Sequence, residues 1–289
     1  MKYIYYPGCS LEGTAREYNI STQAAMKAMG ADLVELEDWT CCGASAAEAT
    51  SFLLSMVLAA RNLARGEKME VDGDFLIPCS ACYLNLRRVE DHVRRDEALL
   101  DKINAALEEE DLEYKGGIRV RHLLDVVATD FEPQKIRSLV KRSLAGLRVA
   151  PYYGCQALRP YPDFDDPQEP RCMEPLIDAL GAEIHPWSAG AKCCGAALMT
   201  TKKEVALELT GGILKAARGA DCIVTICPMC QMNLEAYQDP ISKMTGEDLH
   251  ISIVYLPQLM GLAFGLTKED LRLNLNLAIT DGFKEKMGI

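Results

Sequence analysis

Short apolar runs alternate with amphipathic stretches along the chain, and the whole order occurs twice. Runs rich in β-branched and aromatic residues predict strands over 2–6, 32–37, 75–78, 148–153, 183–185 and 222–226. Apolar positions at helical spacing predict helices over 14–29, 44–65, 80–95, 174–180 and 203–218. The sequence therefore predicts an α/β fold of two pseudo-symmetric, Rossmann-like domains, each with a small parallel-leaning sheet flanked by helices.

The two halves meet near residues 145–148. A helical pattern over 133–146 precedes this point and a strand pattern follows it, so we expect domains at 1–146 and 147–289. The longest apolar stretch, 253–266, is broken by Pro257 and Gln258 and is shorter than the roughly 20 residues that cross a bilayer. We therefore expect no transmembrane helix.

The net charge of the chain limits the kinds of binding partner that we expect. The 289 residues carry a formal net charge of -11, a field that repels nucleic acid and anionic lipid, so we expect neither as a partner. The N-terminus enters a strand pattern at once and lacks the features of a secretory signal, which predicts a cytoplasmic protein. Thiols stay reduced there, so the 12 cysteines indicate metal ligands or redox centres rather than disulfides.

Ten of the 12 cysteines form two sets with the same order and grouping. Each set has a single cysteine, an adjacent pair and a C-x-x-C motif, in the order Cys9, Cys41, Cys42, Cys79, Cys82 and then Cys155, Cys193, Cys194, Cys227, Cys230. The flanking residues repeat as well, as YYPGC and YYGC, and twice as CCGA. A repeat of this length indicates an internal duplication.

The cysteines follow predicted strands, at the sheet edge where α/β folds bind ligands. We expect Cys9 and Cys155 in loops and each C-x-x-C motif at a helix start, where free N–H groups stabilise thiolates. Adjacent cysteines can face one centre only through a turn, and Gly43 and Gly195 next to the pairs tolerate the positive φ that a sharp turn requires.

Five thiols per half exceed the four ligands of a structural zinc or of an ordinary cubane cluster. The fifth thiol fits a free redox group, a switchable ligand or a cluster that is not a simple cubane, and spacing does not choose among these. Zinc in one or both halves leaves that thiol idle. A thioredoxin-like dithiol does not need the adjacent pair.

The remaining candidates are weaker. Cys172 and Cys222 lie outside the pattern and predict ordinary buried thiols. For an anionic substrate, the nearest cations to motif cysteines are Arg159 and Lys192, and His185 is the best catalytic candidate of the four histidines, the others being His92, His122 and His250. The 159–170 loop, rich in proline and aspartate, has no counterpart in the first half and is a candidate partner or substrate surface.

Each half resembles the cysteine-rich CCG domain, and the whole chain is similar to the B-subunit family of heterodisulfide reductases from methanogens. The stretches that carry the resemblance are GCSLEGTAREYNIS, WTCCGA, IPCSACYLNL, GCQALRP, FDDPQEP, KCCGAALM and CPMCQMNLEAYQ. The resemblance implies that each five-cysteine set ligates a noncubane [4Fe-4S] cluster. It also implies a catalytic role in methanogenesis, in which the coenzyme M–coenzyme B disulfide is cleaved between the clusters with one electron from each.

No ferredoxin-type cysteine run and no GxGxxG motif occurs in the chain, so electrons must come from another protein. The resemblance implies two partner subunits of the reductase, one ferredoxin-like and the other flavin-containing, and it allows a larger complex with a hydrogenase or a formate dehydrogenase. The alternative is a CCG-domain electron-transfer or docking subunit of a succinate, glycolate or lactate oxidoreductase complex.

Overall fold

Two four-stranded parallel sheets organise the chain, which a computed structural model describes at residues 1–44 and 46–289. The first sheet has the order β2-β1-β3-β4 and is made of Lys2–Tyr5 (β1), Asp32–Glu35 (β2), Phe75–Ile77 (β3) and Val120–His122 (β4). The second has the order β6-β5-β7-β8 and is made of Arg148–Tyr152 (β5), Glu183–Ile184 (β6), Cys222–Thr225 (β7) and Ser252–Tyr255 (β8). The identical orders confirm the predicted α/β duplication.

Helices cover the sheets. Those of the first half are Gly8–Glu12 (α1), Arg16–Ala28 (α2), Ala46–Thr50 (α3), Phe52–Lys68 (α4), Ser80–Arg95 (α5), Glu97–Leu107 (α6), Leu123–Asp130 (α7) and Pro133–Leu139 (α8). Those of the second are Glu174–Ala179 (α9), Lys203–Ala216 (α10), Pro228–Ala236 (α11), Gln238–Thr245 (α12), Leu256–Ala263 (α13) and Asp281–Met287 (α14). Short 3-10 turns lie at Glu108–Glu110, Ala196–Leu198 and Leu273–Leu275. None of the helices described combines the length and the apolar character needed to cross a membrane.

Strand register shows which residues of the two halves are equivalent. Ile4 pairs with Phe75 in the first sheet and Ala150 with Ile223 in the second. Phe75 and Ile223 each lie four residues before the first cysteine of a C-x-x-C motif. Counting on from these pairs makes three sets of positions equivalent: Tyr6 and Tyr152, Gly8 and Gly154, and Cys9 and Cys155.

Three local predictions were wrong. The predicted helix over 44–65 is divided at Ser51, whose backbone is extended and whose side chain accepts the Leu54 N–H at 3.3 Å to start α4. The helix over 133–146 ends at Leu139, because the next backbone N–H groups turn toward the Ala263 carbonyl of the second half. Cys9 lies in α1 rather than in a loop, because Gly8, at φ 72°, turns the chain directly into a helix.

The halves pack closely against each other. Helix α2 packs against α13 and α8 against α9, so helices of each half rest on the other. The rings of Tyr18 and Tyr255 stack across this interface with centroids 3.9 Å apart. One hydrophobic core cluster contains residues of both halves. The division at residues 146 and 147 stays a prediction.

Candidate functional site: two thiol centres

Each half brings its five predicted cysteines to the carboxyl edge of its sheet, and they form an outer pair and an inner group. Outer thiols are partly or fully exposed and belong to Cys9, Cys41, Cys155 and Cys193. Inner thiols are buried and belong to Cys42, Cys79, Cys82, Cys194, Cys227 and Cys230. We call the two groups of five the first and the second thiol centre. All ten cysteines are free.

The sulfurs approach one another in matching pairs. In the first centre, Sγ of Cys41 lies 3.6 Å from Sγ of Cys9, and Sγ of Cys42 lies 3.4 Å from Sγ of Cys82. In the second, Sγ of Cys194 lies 3.4 Å from Sγ of Cys230. These separations are S–H···S contacts and exceed the roughly 2.05 Å of a disulfide bond.

Both C-x-x-C motifs start helices, as predicted. Cys79 is the N-cap of α5 and Cys227 the N-cap of α11, and Pro228 occupies the first helical position after Cys227. The free N–H groups and the positive dipole end of each helix therefore face the thiols, which favours thiolate and any anionic group that they bind.

The adjacent cysteine pairs form the predicted turns. Gly43 and Gly195 have φ of 76° and 75°, a left-handed conformation that glycine adopts without steric cost. The N–H groups of these glycines point at Sγ of Cys41 and Cys193, at 3.5 and 3.3 Å. The turn thus directs one cysteine of each pair outward and one into the buried group.

An asparagine fixes each of these turns. The side-chain amide of Asn85 donates to the Cys42 carbonyl at 3.1 Å, and that of Asn233 donates to the Cys194 carbonyl at 3.1 Å. Both asparagines stand three residues after the second cysteine of a C-x-x-C motif. The Cys194 carbonyl also accepts the Thr210 hydroxyl at 3.0 Å.

A buried tyrosine makes a hydrogen bond to the backbone next to each adjacent cysteine pair. Tyr6 donates its hydroxyl to the Thr40 carbonyl and Tyr152 to the Lys192 carbonyl, both at 2.7 Å. Each acceptor directly precedes an adjacent cysteine pair. A tryptophan edge packs on each ring, so the segment leading into the pair is held the same way in both halves.

The glycine before each single cysteine leaves room for sulfur. A Cβ on Gly8 would lie 2.8 Å from Sγ of Cys82, and a Cβ on Gly154 would lie 3.1 Å from Sγ of Cys230. Both glycines also have positive φ, at 72° and 70°. Any side chain here would displace a buried thiol.

The pKa values show which sulfurs favour the thiolate form. Hydrogen bonds from Cys41 and then Cys82 hold the pKa of Cys42 well below its usual range. A hydrogen bond from Cys155, supported by the Gly195 N–H and the charge of Arg159, lowers the pKa of Cys193 to about 6. Hydrogen bonds from Cys230 and from nearby N–H groups, with a further one from Ser80, lower the pKa of Cys227 to about 7. These thiols thus favour the thiolate form that binds metal, whereas hydrogen bonds to them and burial raise the pKa of their partners Cys41, Cys82, Cys155 and Cys230.

The two centres meet at their C-x-x-C turns. The Tyr18 hydroxyl lies 3.0 Å from the carbonyl oxygen of Pro78 and 3.1 Å from that of Ile226, the residues just before Cys79 and Cys227. One buried hydroxyl thus links equivalent positions of the two halves. The thiol centres are therefore neighbours and do not lie on opposite sides of the chain.

Ser80 and His122 complete this junction. The Ser80 hydroxyl lies 3.3 Å from the Ile226 carbonyl and 3.2 Å from Nε2 of His122. Burial lowers the pKa of His122 to about 3, so the ring is neutral. Its Nδ1 accepts the Leu124 N–H at 3.0 Å, which places the ring proton on Nε2.

The predicted substrate residues lie in different places. Arg159 lies beside the second centre, where it lowers the pKa of Cys193, and donates to the carbonyls of Pro167 and Ala191, both at 2.6 Å. Lys192 directly precedes Cys193, and its backbone carbonyl accepts the Tyr152 hydroxyl at 2.7 Å. His185 lines a separate cavity of about 800 Å³ on the second half, together with Tyr153, Glu174 and Trp187, and no cysteine lines it.

The 159–170 loop, predicted as a partner or substrate surface, forms contacts between the halves. Its Asp163 accepts from Nε of Arg87 at 2.6 Å and from the Tyr83 hydroxyl at 2.8 Å. Its Phe164 stacks on His122 with ring centroids 6.1 Å apart. Of the two extra cysteines, Cys222 is buried, as predicted, whereas Cys172 is only half-buried.

Sequence reasoning missed five residues that shape the site. The asparagines carried a signal, because an N-L pair follows both C-x-x-C motifs at the same distance. Tyr18, Ser80 and His122 carried none, since the second half has no matching residue at their positions and only the three-dimensional packing places them between the centres.

The donor set fits an iron–sulfur group. Thiolates are its usual ligands, the helix starts offer N–H groups to anionic sulfur, and Gly8 and Gly154 keep the space beside the inner thiols open. Within residues 1–44 and 46–289, no three His, Cys, Asp or Glu side chains are grouped so as to hold one metal ion.

The chain is similar in sequence to several known proteins. The chain is 36% identical over 280 residues to the 8-methylmenaquinol:fumarate reductase membrane anchor subunit of Wolinella succinogenes, covering 96% of both chains. It is 27% identical over 282 residues to the B subunit of a ferredoxin/F420H2-dependent CoB-CoM heterodisulfide reductase of Methanosarcina acetivorans, covering 95% of this chain and 93% of that one. A protein of Archaeoglobus profundus, named for its likeness to the B subunit of heterodisulfide reductase, is 28% identical over 278 residues, covering 93% of this chain and 92% of that one.

A solved structure has the same fold. The crystal structure of a hypothetical protein from Helicobacter pylori aligns with a TM-score of 0.78 at 15% identity and covers 96% of this chain. This chain spans about half, 52%, of that one. The family profile of the cysteine-rich domain CCG matches residues 3–87 and 149–235, the parts that carry the two thiol centres. The chain therefore belongs to the family of CCG cysteine-rich domain proteins, with one copy of the domain in each half.

Proposed function

We propose that the chain is the catalytic subunit of a heterodisulfide reductase complex and that each thiol centre ligates one noncubane [4Fe-4S] cluster. The observation that carries the proposal is the adjacency of the centres, whose C-x-x-C turns share the Tyr18 hydroxyl. Two one-electron centres side by side suit a two-electron cleavage. The relatives named for the B subunit of heterodisulfide reductase supply the substrate class, a mixed disulfide of coenzyme M and coenzyme B.

The ligands would be all ten predicted cysteines. The first cluster would take Cys9, Cys41, Cys42, Cys79 and Cys82, and the second Cys155, Cys193, Cys194, Cys227 and Cys230. When bound, the clusters would supply single electrons. The inner thiols would anchor them in low dielectric, whereas the outer pairs face solvent, where a substrate can approach.

The reaction consumes two electrons and two protons. The S–S bond of the mixed disulfide breaks, and each sulfur leaves as a thiol. Electrons would enter from the ferredoxin-like and flavin-containing partner subunits, since the chain has no donor motif of its own. Arg159 lies beside the exposed Cys193 and would attract the anionic groups of the substrate, with Lys192 as a second cation. A cytoplasmic location fits these partners.

A second candidate comes from the relative at 36% identity, which is named as a subunit of a quinol:fumarate reductase. In this alternative the chain passes electrons between partner subunits, or docks them at a membrane, and binds no disulfide. Zinc in one half would suit only a docking role.

Anaerobic purification followed by iron and sulfide analysis tests the clusters. We expect about four irons per half, as the family resemblance implies, and matching sulfide. Stoichiometric zinc with negligible sulfide would contradict the proposal. Rates of heterodisulfide reduction and of electron transfer to fumarate, measured with a chemically reduced donor, separate the two candidate functions.

Single replacements test the division of labour. Cys42→Ser and Cys194→Ser each remove an inner thiol of one centre, and both should abolish disulfide reduction. Cys172→Ser is the matched control, because this thiol lies outside both centres, and it should leave the rate unchanged. If either centre alone sustains the reaction, the two-centre mechanism is wrong.

A further inference from the structure

The junction between the thiol centres is asymmetric. Ser80 is the first residue of α5, and its equivalent at the start of α11 is Pro228. Serine carries a hydroxyl that can donate a hydrogen bond, whereas proline has neither a side-chain donor nor a backbone N–H. The first half therefore offers a donor at this position and the second half does not.

The Ser80 hydroxyl is directed by its partners. The Nε2 proton of His122 points at the Ser80 oxygen across 3.2 Å, because Nδ1 of the same ring is engaged by the Leu124 N–H. The oxygen of Ser80 is thus an acceptor, and its own proton is left for the second half. It donates there to the Ile226 carbonyl at 3.3 Å, in the residue directly before Cys227.

Burial makes these bonds effective. Ser80 is 1% exposed, His122 is fully buried and Cys227 is 3% exposed. Hydrogen bonds are electrostatically stronger in such surroundings than in water, and the ring of His122 is held in place by Phe164 and Tyr83. The arrangement is a fixed relay of donors from α7 through His122 and Ser80 to the second centre.

We propose that Ser80 is a positioning residue of the second thiol centre that is contributed by the first half, with His122 as the group that aims its hydroxyl. The proposal deepens the proposed function, since it rests on the centres binding a metal group. It assigns different properties to the two centres. The carbonyl directly before Cys227 accepts from a serine of the other half, whereas Pro228, at the equivalent position, has no hydroxyl to offer the first centre.

The test measures metal retention and does not depend on activity. The full chain is treated with a chelator, and the cysteines that become free are alkylated and identified by peptide mass spectrometry. Ser80→Ala should speed the labelling of Cys227 and Cys230 by on the order of 10- to 100-fold, the usual effect of losing an outer hydrogen-bond partner, and leave Cys79 and Cys82 unchanged.

Two sets of variants control this test. Ser21→Ala removes another fully buried serine hydroxyl, which donates to the Tyr18 carbonyl away from sulfur, and should alter neither centre. Should Ser80→Ala not fold, the isosteric pair Ser80→Thr and Ser80→Val decides, because only threonine keeps the hydroxyl. Equal labelling of Cys227 in Ser80→Ala and Ser21→Ala, or equal acceleration in both halves, would overturn the proposal.

If the metal proves to be zinc, the proposed function fails, and the labelling test still decides whether Ser80 supports the second centre.

Discussion

The two thiol centres share the hydrogen bonds that surround their cysteine pairs, but they differ in the residues at the junction between the halves. Tyr6 and Tyr152, like Asn85 and Asn233, make the same hydrogen bonds at the same distances. At the junction, by contrast, Ser80 occupies the position that Pro228 has in the second half, so proline offers no counterpart to the hydroxyl of Ser80.

The difference between halves extends to their surroundings. In the first half, α2 follows the single cysteine and carries Tyr18 onto Tyr255 of the second half. In the second half, the 159–170 loop takes that place and carries Phe164 onto His122. The duplication thus kept the geometry that five thiols require, while the interface acquired residues that make the centres unlike.

The largest effect is expected at the glycines that face the inner thiols. Gly8→Ala forces a side chain to within 2.8 Å of Sγ of Cys82 at a positive φ, so the first centre should lose its metal group entirely. Gly154→Ala should be milder in the second centre, because the corresponding distance to Cys230 is 3.1 Å. Iron content per chain, with alkylation mapping of each half, measures both.

Gly30→Ala is the matched control for backbone strain. Gly30 has φ of 78°, and a Cβ there would meet no atom within 4 Å. The variant should lose stability by about 1–2 kcal/mol from the left-handed conformation alone and keep both centres. Equal metal loss in Gly30→Ala and Gly8→Ala would show that strain, not contact with sulfur, sets the requirement for glycine.

The asparagines should give the next largest effect, and an unequal one. Asn85→Ala removes the side-chain donor to the Cys42 carbonyl, so the first centre should release metal about 10- to 100-fold faster. Asn233→Ala should have a smaller effect, because Thr210 still donates to the Cys194 carbonyl at 3.0 Å. Chelator-driven release measured for each half tests the difference.

The double variant Asn233→Ala, Thr210→Val removes both donors to the Cys194 carbonyl. It should lower metal retention in the second centre to the level that Asn85→Ala produces in the first. Thr210→Val alone should change little. If Asn233→Ala is already as severe as Asn85→Ala, the hydroxyl of Thr210 is not a substitute donor and the two turns are equally dependent on asparagine.

Much of this molecule could be predicted from the repeat. The strands, the helix starts at Cys79 and Cys227 and the turns at Gly43 and Gly195 follow from local patterns that occur twice. The helix over 44–65 was misjudged because a single N-cap, Ser51, interrupts an otherwise helical pattern.

What could not be predicted depends on contacts between the halves. The sequence ranks His122 below His185 as a candidate, and only the packing of α5 against β4 brings it to Ser80. His185 looked more promising beside Pro186 and Trp187, yet it faces a cavity without thiols. Sequence spacing does not show which of two histidines lies near a distant cysteine.

A moderate effect is expected where the 159–170 loop meets the first half. Asp163→Asn removes a charge that accepts from Arg87 and Tyr83, which should reduce the free energy of unfolding by about 1–2 kcal/mol near neutral pH. Urea unfolding measures this loss. Asp178→Asn is the control, because its ion pair with Arg137 is exposed on both sides, and it should cost less than about 0.5 kcal/mol.

The pH dependence of the Asp163 effect follows from its pKa. Partial burial alone would raise that pKa, but the hydrogen bonds from Arg87 and Tyr83 hold it below the usual value. The stabilisation is therefore complete above the unfolded carboxyl pKa, about 3.9, and is lost as pH falls through the lower folded value. The difference between wild type and Asp163→Asn should be constant from about pH 5 to 8 and shrink in stronger acid.

The smallest effect should come from an ion pair of the first half whose arginine has no equivalent in the second half. Arg88 of α5 holds Glu48 of α3 through two 2.8 Å hydrogen bonds, and the residue equivalent to Arg88 in the second half is Ala236. The Glu48 side chain is 53% exposed, so Glu48→Gln should cost less than about 1 kcal/mol, and less still in about 1 M salt. Unfolding at low and high salt measures this cost. If Glu48→Gln instead releases metal from the first centre, the Arg88–Glu48 ion pair supports that centre. The two halves then differ near the sulfur ligands as well as at their junction.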